Sequence, residues 1–451
     1  MDKRIKVAFV GGGSFNWAPK ILKDIMMKEE LGGIDFYLLD RQLPNAEKIK
    51  RLGEKMNSDL AGDHRFFASN DENESFTGCD FVIICIATPA EKALEAMRQD
   101  VQIPEKYGIY QPVGDTVGPG GWSRNLRNVP VFNDLARKIA ELSNDAVVLN
   151  YTNPMACLTK AFYAQTNLRA VGLCHGLFEC YRVLQALFGL ESEKQIDVKF
   201  AGVNHFFWIL DFKVNGQDGY RLLEEKLGDD KRFVDLIQEV HSDEMGFASN
   251  KYLTSQLYET FGCLPYVGDR HTCEFFPHVI TGDADRLHKY RISRTTIDER
   301  QARLVERETE VDAMIAGTQA VNYSRSRETA ADILEAMALG KEFIDVVNVP
   351  NQGQIPSLPL GGVVETLGVV NTLGFTPICT GPLPEPINNL LLPHVKNAET
   401  LYQAATHGDF PLALESLYQD PTCAHLDYDQ IRSMAEELMQ ANREFLPQFF
   451  R

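Results

Sequence analysis

Near the start of the chain, residues 7–16 read VAFVGGGSFN, an apolar run followed by three glycines. This order predicts a β-strand, a glycine turn and a helix start, where free backbone N–H groups and the helix dipole can hold a pyrophosphate. Gly11 and Gly13 fit the first two glycines of the dinucleotide-binding pattern, whereas Asn16 stands in the third position. Taken alone, the stretch is equally typical of a plain tight turn.

Apolar β-like runs alternate with helical patterns over the first 175 residues. The runs are nearly continuous in Val, Ile, Leu and Phe, which is typical of strands covered on both faces. The alternation predicts an α/β fold with a doubly wound parallel sheet. Its predicted strands are Ile5–Val10, Asp35–Leu39, Phe81–Ile86, Ala146–Asn150 and Ala170–Cys174, and its predicted helices are Ala18–Glu30, Ala46–Leu60, Ala90–Tyr107 and Asn125–Leu142.

The pattern changes in the second half of the chain. Phe200–Val214 is rich in strand formers, and Val349–Pro384 is rich in Pro and Gly. Helical patterns occupy Glu299–Thr318, Thr329–Leu339 and Asn397–Phe445. We therefore expect a dinucleotide-binding domain at residues 1–190 and a mixed α+β domain at residues 191–451.

Asp40 ends the second predicted strand. A carboxylate at this position can bind both ribose hydroxyls of a dinucleotide and would repel a 2′-phosphate, which favours NAD over NADP. The alternative is a solvated strand end. Together with the glycines and the βαβ context, Asp40 makes a dinucleotide site the favoured interpretation.

Composition and charge exclude several classes of function. The chain has 451 residues, 63 of them acidic and 45 basic, which gives a formal net charge of −18. Such a charge disfavours nucleic acid and anionic membranes as partners. The most apolar run, residues 81–87, is far shorter than the roughly 20 residues needed to cross a bilayer. The nine cysteines include no C-x-x-C pair, so we expect free thiols and a cytoplasmic location.

Three polar residues lie on predicted strands or just after one. Asn153 comes just after the fourth strand and Cys174 ends the fifth, while His205 lies on a later strand. Ligands of open α/β sheets bind at the carboxyl ends of the strands, and a thiolate with an imidazole suits a borderline divalent metal. The alternatives are a turn asparagine, a buried cysteine and a core histidine.

Two loops hold further candidates. Residues 111–122 are rich in glycine and contain Asp115, which favours an active-site loop over a structural loop. Residues 265–271 contain Tyr266, Asp269, Arg270 and His271, a set equally typical of an ordinary polar loop. The chain contains no H-E-x-x-H, G-x-S-x-G or Walker A motif, so those hydrolase and nucleotidase classes are not supported.

In this order, these segments resemble glycoside hydrolase family 4, over roughly residues 5 to 390. The resemblance rests on GGGS at 11–14, GPGG at 118–121, NYTNP at 150–154, Cys174-His175, Asn204-His205 and the run VPNQGQIP at 349–356. It implies a Rossmann-type domain related to lactate and malate dehydrogenases. It also implies NAD and a divalent metal, usually manganese, as cofactors, in place of the usual pair of glycosidase carboxylates.

The resemblance also implies roles for single residues. Cys174 and His205 match metal ligands, Asn153 and Arg98 match substrate-binding residues, and Asp115 matches an acidic residue that supports the catalytic base. Tyr266 and Asp269 are both candidates for that base. Arg270 is a second candidate, after Arg98, for binding a substrate carboxylate. The residues expected to contact NAD are Gly11, Gly12, Gly13, Ser14, Phe15, Asp40 and Arg41.

The residue after the metal-binding cysteine tracks the substrate in this family. Cys174-His175-Gly176 looks like the uronic-acid branch, the α-galacturonidases and α-glucuronidases. The implied reaction is oxidation at C3, deprotonation at C2, elimination with His175 as a possible acid, and addition of water. The alternatives are an α-galactosidase or α-glucosidase of the same family, and a malate-dehydrogenase-like oxidoreductase. The expected partners are a sugar substrate and copies of the chain, as a homodimer or homotetramer.

Overall fold

The computed structural model describes residues 4–228, 232–240 and 251–450. Within these residues the strands are β1 (Ile5–Val10), β2 (Ile34–Leu39), β3 (Arg65–Ser69), β4 (Phe81–Ile84), β5 (Val147–Asn150), β6 (Arg169–Gly172), β7 (Ile196–Val203), β8 (Phe206–Val214), β9 (Gln217–Asp218), β10 (Leu264–Pro265), β11 (Phe343–Pro350), β12 (Val363–Asn371) and β13 (Gly374–Pro377).

Helices pack on both faces of the sheet. Their bounds are α1 (Ala18–Met26), α2 (Leu43–Asp59), α3 (Glu72–Phe76), α4 (Ala93–Glu105), α5 (Gly118–Leu142), α6 (Met155–Gln165), α7 (Gly176–Phe188), α8 (Gly219–Leu227), α9 (Phe233–Val240), α10 (Tyr252–Phe261), α11 (Asp269–Thr272), α12 (Pro277–Ile280), α13 (Asp285–Lys289), α14 (Ile297–Ala316), α15 (Ala330–Leu339), α16 (Glu385–His407), α17 (Phe410–Tyr418) and α18 (Tyr428–Ala441). Among the described helices, none combines the length and the apolar character that a membrane crossing requires.

Six parallel strands form the first half of the sheet in the order β3-β2-β1-β4-β5-β6. This order belongs to doubly wound dinucleotide-binding folds, so the predicted fold class is confirmed. Strand β3 has no counterpart in the sequence prediction because its residues, RFFAS, are few and begin with an exposed arginine. The predicted strand Phe81–Ile86 ends two residues early, at Ile84.

The second half of the chain continues the same sheet with antiparallel strands. Strand β11 pairs with β6 through Asn348 and Gly172, and β12, β7, β8 and β10 follow outward. Helices α14 and α15 then return to cover α2 and α1, where Lys48 Nζ lies 2.7 Å from Glu308 Oε1. The division at residue 190 stays a prediction, since the sheet crosses it without a break.

Two predicted helix starts lie far from the observed ones. The glycines of the 111–122 segment do not all lie in a loop, because α5 begins at Gly118 and not at Asn125. A Cβ on Gly120 would lie 2.8 Å from the Cα of Gly114, so only glycine lets this first helical turn pack against the preceding loop. Likewise, α16 begins at Glu385, twelve residues before the predicted start at Asn397, after a proline that closes the preceding loop.

Candidate active site

The predicted polar residues meet at the carboxyl ends of the parallel strands. Asn153 follows β5, Cys174 follows β6, and His205 lies in the tight turn between β7 and β8. The loop before α5 brings Asp115 to the same place, and α11 brings His271. This is the edge of the sheet at which doubly wound folds bind their ligands.

Asp115, His205 and His271 form a compact, buried group. One ligand-type atom from each residue lies within 4.8 Å of the other two. The Nδ1 atoms of both imidazoles lie 3.7 Å from Asp115 Oδ1, and the ring centroids are 3.9 Å apart. The Thr116 hydroxyl donates to Asp115 Oδ1 at 2.7 Å and lies 3.0 Å from His205 Nδ1. A carboxylate and two imidazoles arranged in this way match the donor set of a divalent metal site.

Burial sets the charges of this group. It lowers the pKa of His205 to about 3 and also lowers the pKa of His271, so both imidazoles are neutral near pH 7. Burial opposes ionisation of Asp115, but His271, His205 and Arg124 outweigh it and hold the pKa of this carboxyl well below its usual range. Neutral imidazoles and an ionised carboxylate are the protonation states that ligate metals.

A chain of amides ties the group to the β7–β8 turn. Asn204 Nδ2 donates to Asn153 Oδ1 at 2.9 Å, and Asn153 Nδ2 donates to Asp115 Oδ2 at 3.4 Å. The backbone of His205 has φ +65°, in the left-handed region that non-glycine residues rarely adopt. Residues held in this region often serve a function, and here the conformation directs an imidazole at Asp115.

Cys174 lies nearby but outside this group of three. Its Sγ accepts the Gly176 N–H at 3.4 Å, and 7% of the residue is exposed. Burial, and then the carboxyl of Glu365, raise the pKa of this thiol well above its ordinary value. A cation is therefore needed before Cys174 can act as a thiolate ligand.

His175 stands at the start of α7 and pairs with an acid from a distant part of the chain. Its Nε2 lies 2.6 Å from Glu328 Oε1, and its ring centroid lies 5.2 Å from that of Trp17. Glu328 precedes α15, 153 residues further along the chain. Sequence reasoning missed this acid because no local pattern connects it to His175.

The segment from Tyr266 to His271 separates its side chains. Tyr266 packs beside His205, with ring centroids 6.1 Å apart and planes 18° from parallel. Asp269 points away, since its carboxylate accepts the backbone N–H groups of Leu253 and Thr254 at 2.9 and 3.1 Å. Sequence reasoning quoted His271 but did not select it as a site residue, although its presence in the Tyr266 segment was the available signal.

The two arginines selected from the sequence lie in different surroundings. Arg270 donates to the hydroxyls of Thr295 and Ser293 at 2.6 and 2.9 Å, next to His271 in the chain. Arg98 lies on α4, with 39% of its side chain exposed and its Nε 3.3 Å from Glu95. The structure therefore brings Arg270 near the group of Asp115, His205 and His271, called the metal-type group below. It leaves Arg98 in a surface ion pair.

The glycine turn between β1 and α1 borders a groove of about 890 Å³. Gly11 has φ +86°, and a Cβ there would lie 2.1 Å from the carbonyl oxygen of Cys85. Asp40 accepts the backbone N–H groups of Gly13 and Gln42 at 3.0 and 2.9 Å. Of the predicted cofactor residues, the groove is lined by Gly11, Gly13, Ser14, Asp40 and Arg41.

The remaining two predicted cofactor residues do not line this groove. Gly12 packs against β2, where a Cβ would lie 2.6 Å from the Cα of Leu38. The ring of Phe15 lies under Lys48, with Nζ 5.4 Å from the ring centroid. Both residues belong to the glycine turn but contact β2 or α2 instead of the groove.

Curated proteins resemble the chain over its full length. It is 31% identical to the alpha-galacturonidase of Thermoanaerobacterium saccharolyticum, over 98% of this chain and 96% of the relative. It is 29% identical to the alpha-galactosidase of Bacillus subtilis, over 98% of this chain and 99% of the relative.

Solved structures resemble it equally widely. The Bacillus subtilis protein lplD matches with a TM-score of 0.87 at 31% identity, over 96% of this chain and 99% of that one. A 6-phospho-alpha-glucosidase from gut microorganisms, solved with NAD and Mn²⁺, matches with a TM-score of 0.79 at 21% identity, over 98% and 99%. The second likeness shows the fold.

Two family models together cover most of the sequence. The model of family 4 glycosyl hydrolases matches residues 6–190, and the model of their C-terminal domain matches residues 200–423. These matches confirm the resemblance inferred from the motifs. The chain is a glycosidase and belongs to family 4 of the glycosyl hydrolases.

Proposed function

We propose that this protein hydrolyses α-glycosides of a uronic acid, first of all α-galacturonides, with NAD and a divalent metal such as Mn²⁺. The observation that carries the proposal is the metal-type group of Asp115, His205 and His271 at the same sheet edge as the dinucleotide groove. The full-length relative named alpha-galacturonidase supports the choice of sugar.

The residues present fit a metal. His205 is the ligand common to the sequence prediction and to the structural group, and its neutral imidazole can bind without first losing a proton. Asp115 and His271 supply a carboxylate oxygen and a second nitrogen, while Cys174 is the further predicted ligand. A metal held here supplies Lewis-acid polarisation of sugar oxygens.

The residues present also fit NAD. The backbone turn at Gly11 has no room for a side chain, and the carboxylate of Asp40 borders the groove. The carboxylate oxygens of Asp40 accept the backbone N–H groups of Gly13 and Gln42. They retain further lone pairs that can accept hydrogen bonds from ribose hydroxyls. NAD held here would supply an acceptor for the hydride from C3 of the sugar, and the same hydride would be given back at the end of the cycle.

The side chains of the protein then move protons and hold the sugar. We assign removal of the C2 proton to Tyr266, because the oxygens of Asp269 are occupied at the start of α10. His175, oriented by Glu328, is placed to protonate the leaving glycosidic oxygen. Asn153, fixed between Asn204 and Asp115, orients the substrate hydroxyls.

A second candidate is α-galactosidase activity, favoured by the relative of that name at 29% identity. The two activities differ in the C6 substituent, which is a carboxylate in the uronide and an alcohol in the galactoside. Membership in a glycosidase family disfavours the malate-dehydrogenase-like alternative.

A substrate panel tests the proposal. The purified protein, with NAD, Mn²⁺ and a reductant, is assayed on p-nitrophenyl α-galactosiduronic acid, α-glucuronide, α-galactoside and 6-phospho-α-glucoside. We expect the highest kcat/KM on a uronide, loss of activity in EDTA, and no net formation of NADH. Cys174→Ser should lose activity but still bind NAD. Preference for the neutral galactoside would contradict the uronide assignment, and full activity in EDTA would contradict the metal.

A further inference from the structure

Arg124 is a buried cation with too few partners. It lies on α5, its side chain is 9% exposed, and its Nε and Nη2 atoms have no hydrogen-bond partner within the part of the chain that the structure describes. Its ionic contact is with Asp100, whose Oδ2 lies 3.6 Å from Arg124 Nε. Burial of a charged group without hydrogen bonds is costly, so such a group calls for a ligand or another function.

Asp100 does not neutralise Arg124, because Arg127 already binds it. The Nη1 and Nη2 atoms of Arg127 donate to the two oxygens of Asp100 at 2.8 and 2.5 Å. This bidentate contact is the strong form of an arginine–carboxylate pair. Two guanidinium groups therefore share one carboxylate, and the excess positive charge resides on Arg124.

Arg270 is a second buried guanidinium near the metal-type group. It is 6% exposed, its Nη1 and Nη2 donate to hydroxyls, and its Nε has no hydrogen-bond partner among the described residues. Its neighbour in the chain, His271, belongs to the metal-type group. Thr295, which accepts a hydrogen bond from Arg270, also contacts the loop that contains Asp115, since its backbone N–H donates to the Pro112 carbonyl at 3.2 Å.

Arg300, in the first turn of α14, adds a third positive charge. Burial, and then repulsion from Arg124, lower the pKa of Arg300. The carboxyl of the nearby Glu274 is already engaged, since it accepts the backbone N–H groups of Val113 and Gly114 at 2.7 and 2.8 Å. The ionised carboxylate of Asp115 offsets part of this positive charge, and a further anion would relieve the remaining repulsion between the guanidinium groups.

We propose that Arg124, with Arg270, binds an anionic group on C6 of the substrate sugar and thereby selects charged over neutral sugars. The proposal rests on the proposed function for the identity of that anion as a carboxylate. A 6-phosphate shares the same chemistry, and the substrates of the test distinguish the two. The planar fork of Arg124 suits bidentate binding of either group. Arg98, which the sequence favoured for this role, is left in its surface pair with Glu95.

The test compares wild type with Arg124→Met, Arg124→Lys and Arg137→Met on uronide, neutral galactoside and 6-phosphoglucoside. Arg124→Met should lower the ratio of kcat/KM on the uronide to kcat/KM on the neutral sugar by about ten- to a hundredfold. A loss common to both sugars would reflect the effect of Arg124 on the charge of Asp115. Arg124→Lys keeps the charge but loses the fork, so its loss should be intermediate. Arg137, exposed on the same helix, is the control and should leave the ratio between the sugars unchanged.

The outcomes separate this assignment from the proposed function. The wild-type panel alone decides between uronide, phosphosugar and neutral sugar, whereas the ratio in the Arg124 variants decides the role of Arg124. Equal losses on charged and neutral sugars, or undiminished discrimination in Arg124→Met, would overturn the assignment. Melting temperature and NAD affinity identify variants that fold, and Arg124→Lys provides the test if Arg124→Met does not.

Discussion

Neighbouring side chains in one short segment have opposite surroundings. Tyr266 lies against the imidazole of His205, whereas Asp269, three residues later, faces the start of α10. The carboxylate of Asp269 accepts two backbone N–H groups and the Thr254 hydroxyl, which holds the helix in place. At the residue scale, these contacts support the proposed chemical role of Tyr266 and indicate a structural role for Asp269.

This difference predicts opposite effects of two conservative substitutions. Tyr266→Phe removes the proposed base and should lower kcat by about 10²- to 10⁴-fold, with little change in the melting temperature. Asp269→Asn removes a charge-assisted acceptor and should lower the free energy of unfolding by about 1–3 kcal/mol. Steady-state kinetics and urea unfolding measure the two effects. An inactive but fully stable Asp269→Asn enzyme, alongside an active Tyr266→Phe enzyme, would reverse the assignment of the base.

Sequence reasoning at this scale found residues that share a segment with a motif and missed those that do not. Asn153, His205 and Asp115 were predicted from strand ends and a glycine loop, and the structure brings them together. Glu328 could not be found, because its pairing with His175 depends on how residues 318–329 return to α7. The charge surplus at Arg124 was hidden as well, since it depends on how Asp100 is shared.

At the scale of elements, local pattern predicted the parallel strands better than the helix starts. The start of α5 was misplaced because a run of glycines and a proline is usually a loop, and only the close approach of Gly114 explains the helix.

Strand β12 shows a similar limit of prediction from local pattern. It carries Glu365, which is fully buried between β11 and β7. Asn348 Nδ2 donates to Glu365 Oε2 at 2.8 Å, whereas Oε1 has no hydrogen-bond partner among the described residues.

Burial of Glu365 makes stability depend on pH. It raises the pKa of this carboxyl from 4.5 to about 8, so the folded protein holds a proton that the unfolded chain releases above pH 4.5. Stability should therefore fall as pH rises from about 5 to 8. Glu365→Gln removes this ionisation while keeping an acceptor for Asn348. The variant should melt a few degrees above wild type at pH 8, with a smaller difference at pH 5.

A matched substitution at an exposed position is the control for this effect. Glu415→Gln on α17 changes the same chemical group at the surface and should leave the pH dependence of melting unchanged. If Glu365→Gln melts below wild type at pH 8, the carboxyl is ionised in the folded state and stabilises these strands.

For the whole molecule, composition gave the net charge and excluded several classes of function. Only the structure shows that both halves of the chain form one sheet. The mixed α+β pattern after residue 190 predicted a second domain, and the structure adds that β11 joins β6 and that helices α14 and α15 cover the first half of the sheet. Such pairings join residues far apart in sequence, and no local pattern records them. Their functional result is that both halves of the chain supply the group of Asp115, His205 and His271.

The net charge of −18 opposes the approach of an anionic sugar, while the proposed pocket attracts it at close range. Surface charges act over about 30 Å at 0.01 M salt but only about 8 Å at 0.15 M. The guanidinium of Arg124 is buried, so salt screens it much less. Raising ionic strength over this range should therefore increase kcat/KM on a uronide by about two- to fivefold.

The same salt series separates the surface from the pocket. A neutral galactoside should show almost no salt dependence, because the field of the protein exerts no net force on it. Arg124→Met should be slower on the uronide at every salt concentration yet show the same relative increase, since the exposed charge is unchanged. A uronide rate that falls as salt is added would mean that exposed positive charge at the entrance, and not the buried guanidinium of Arg124, captures the substrate.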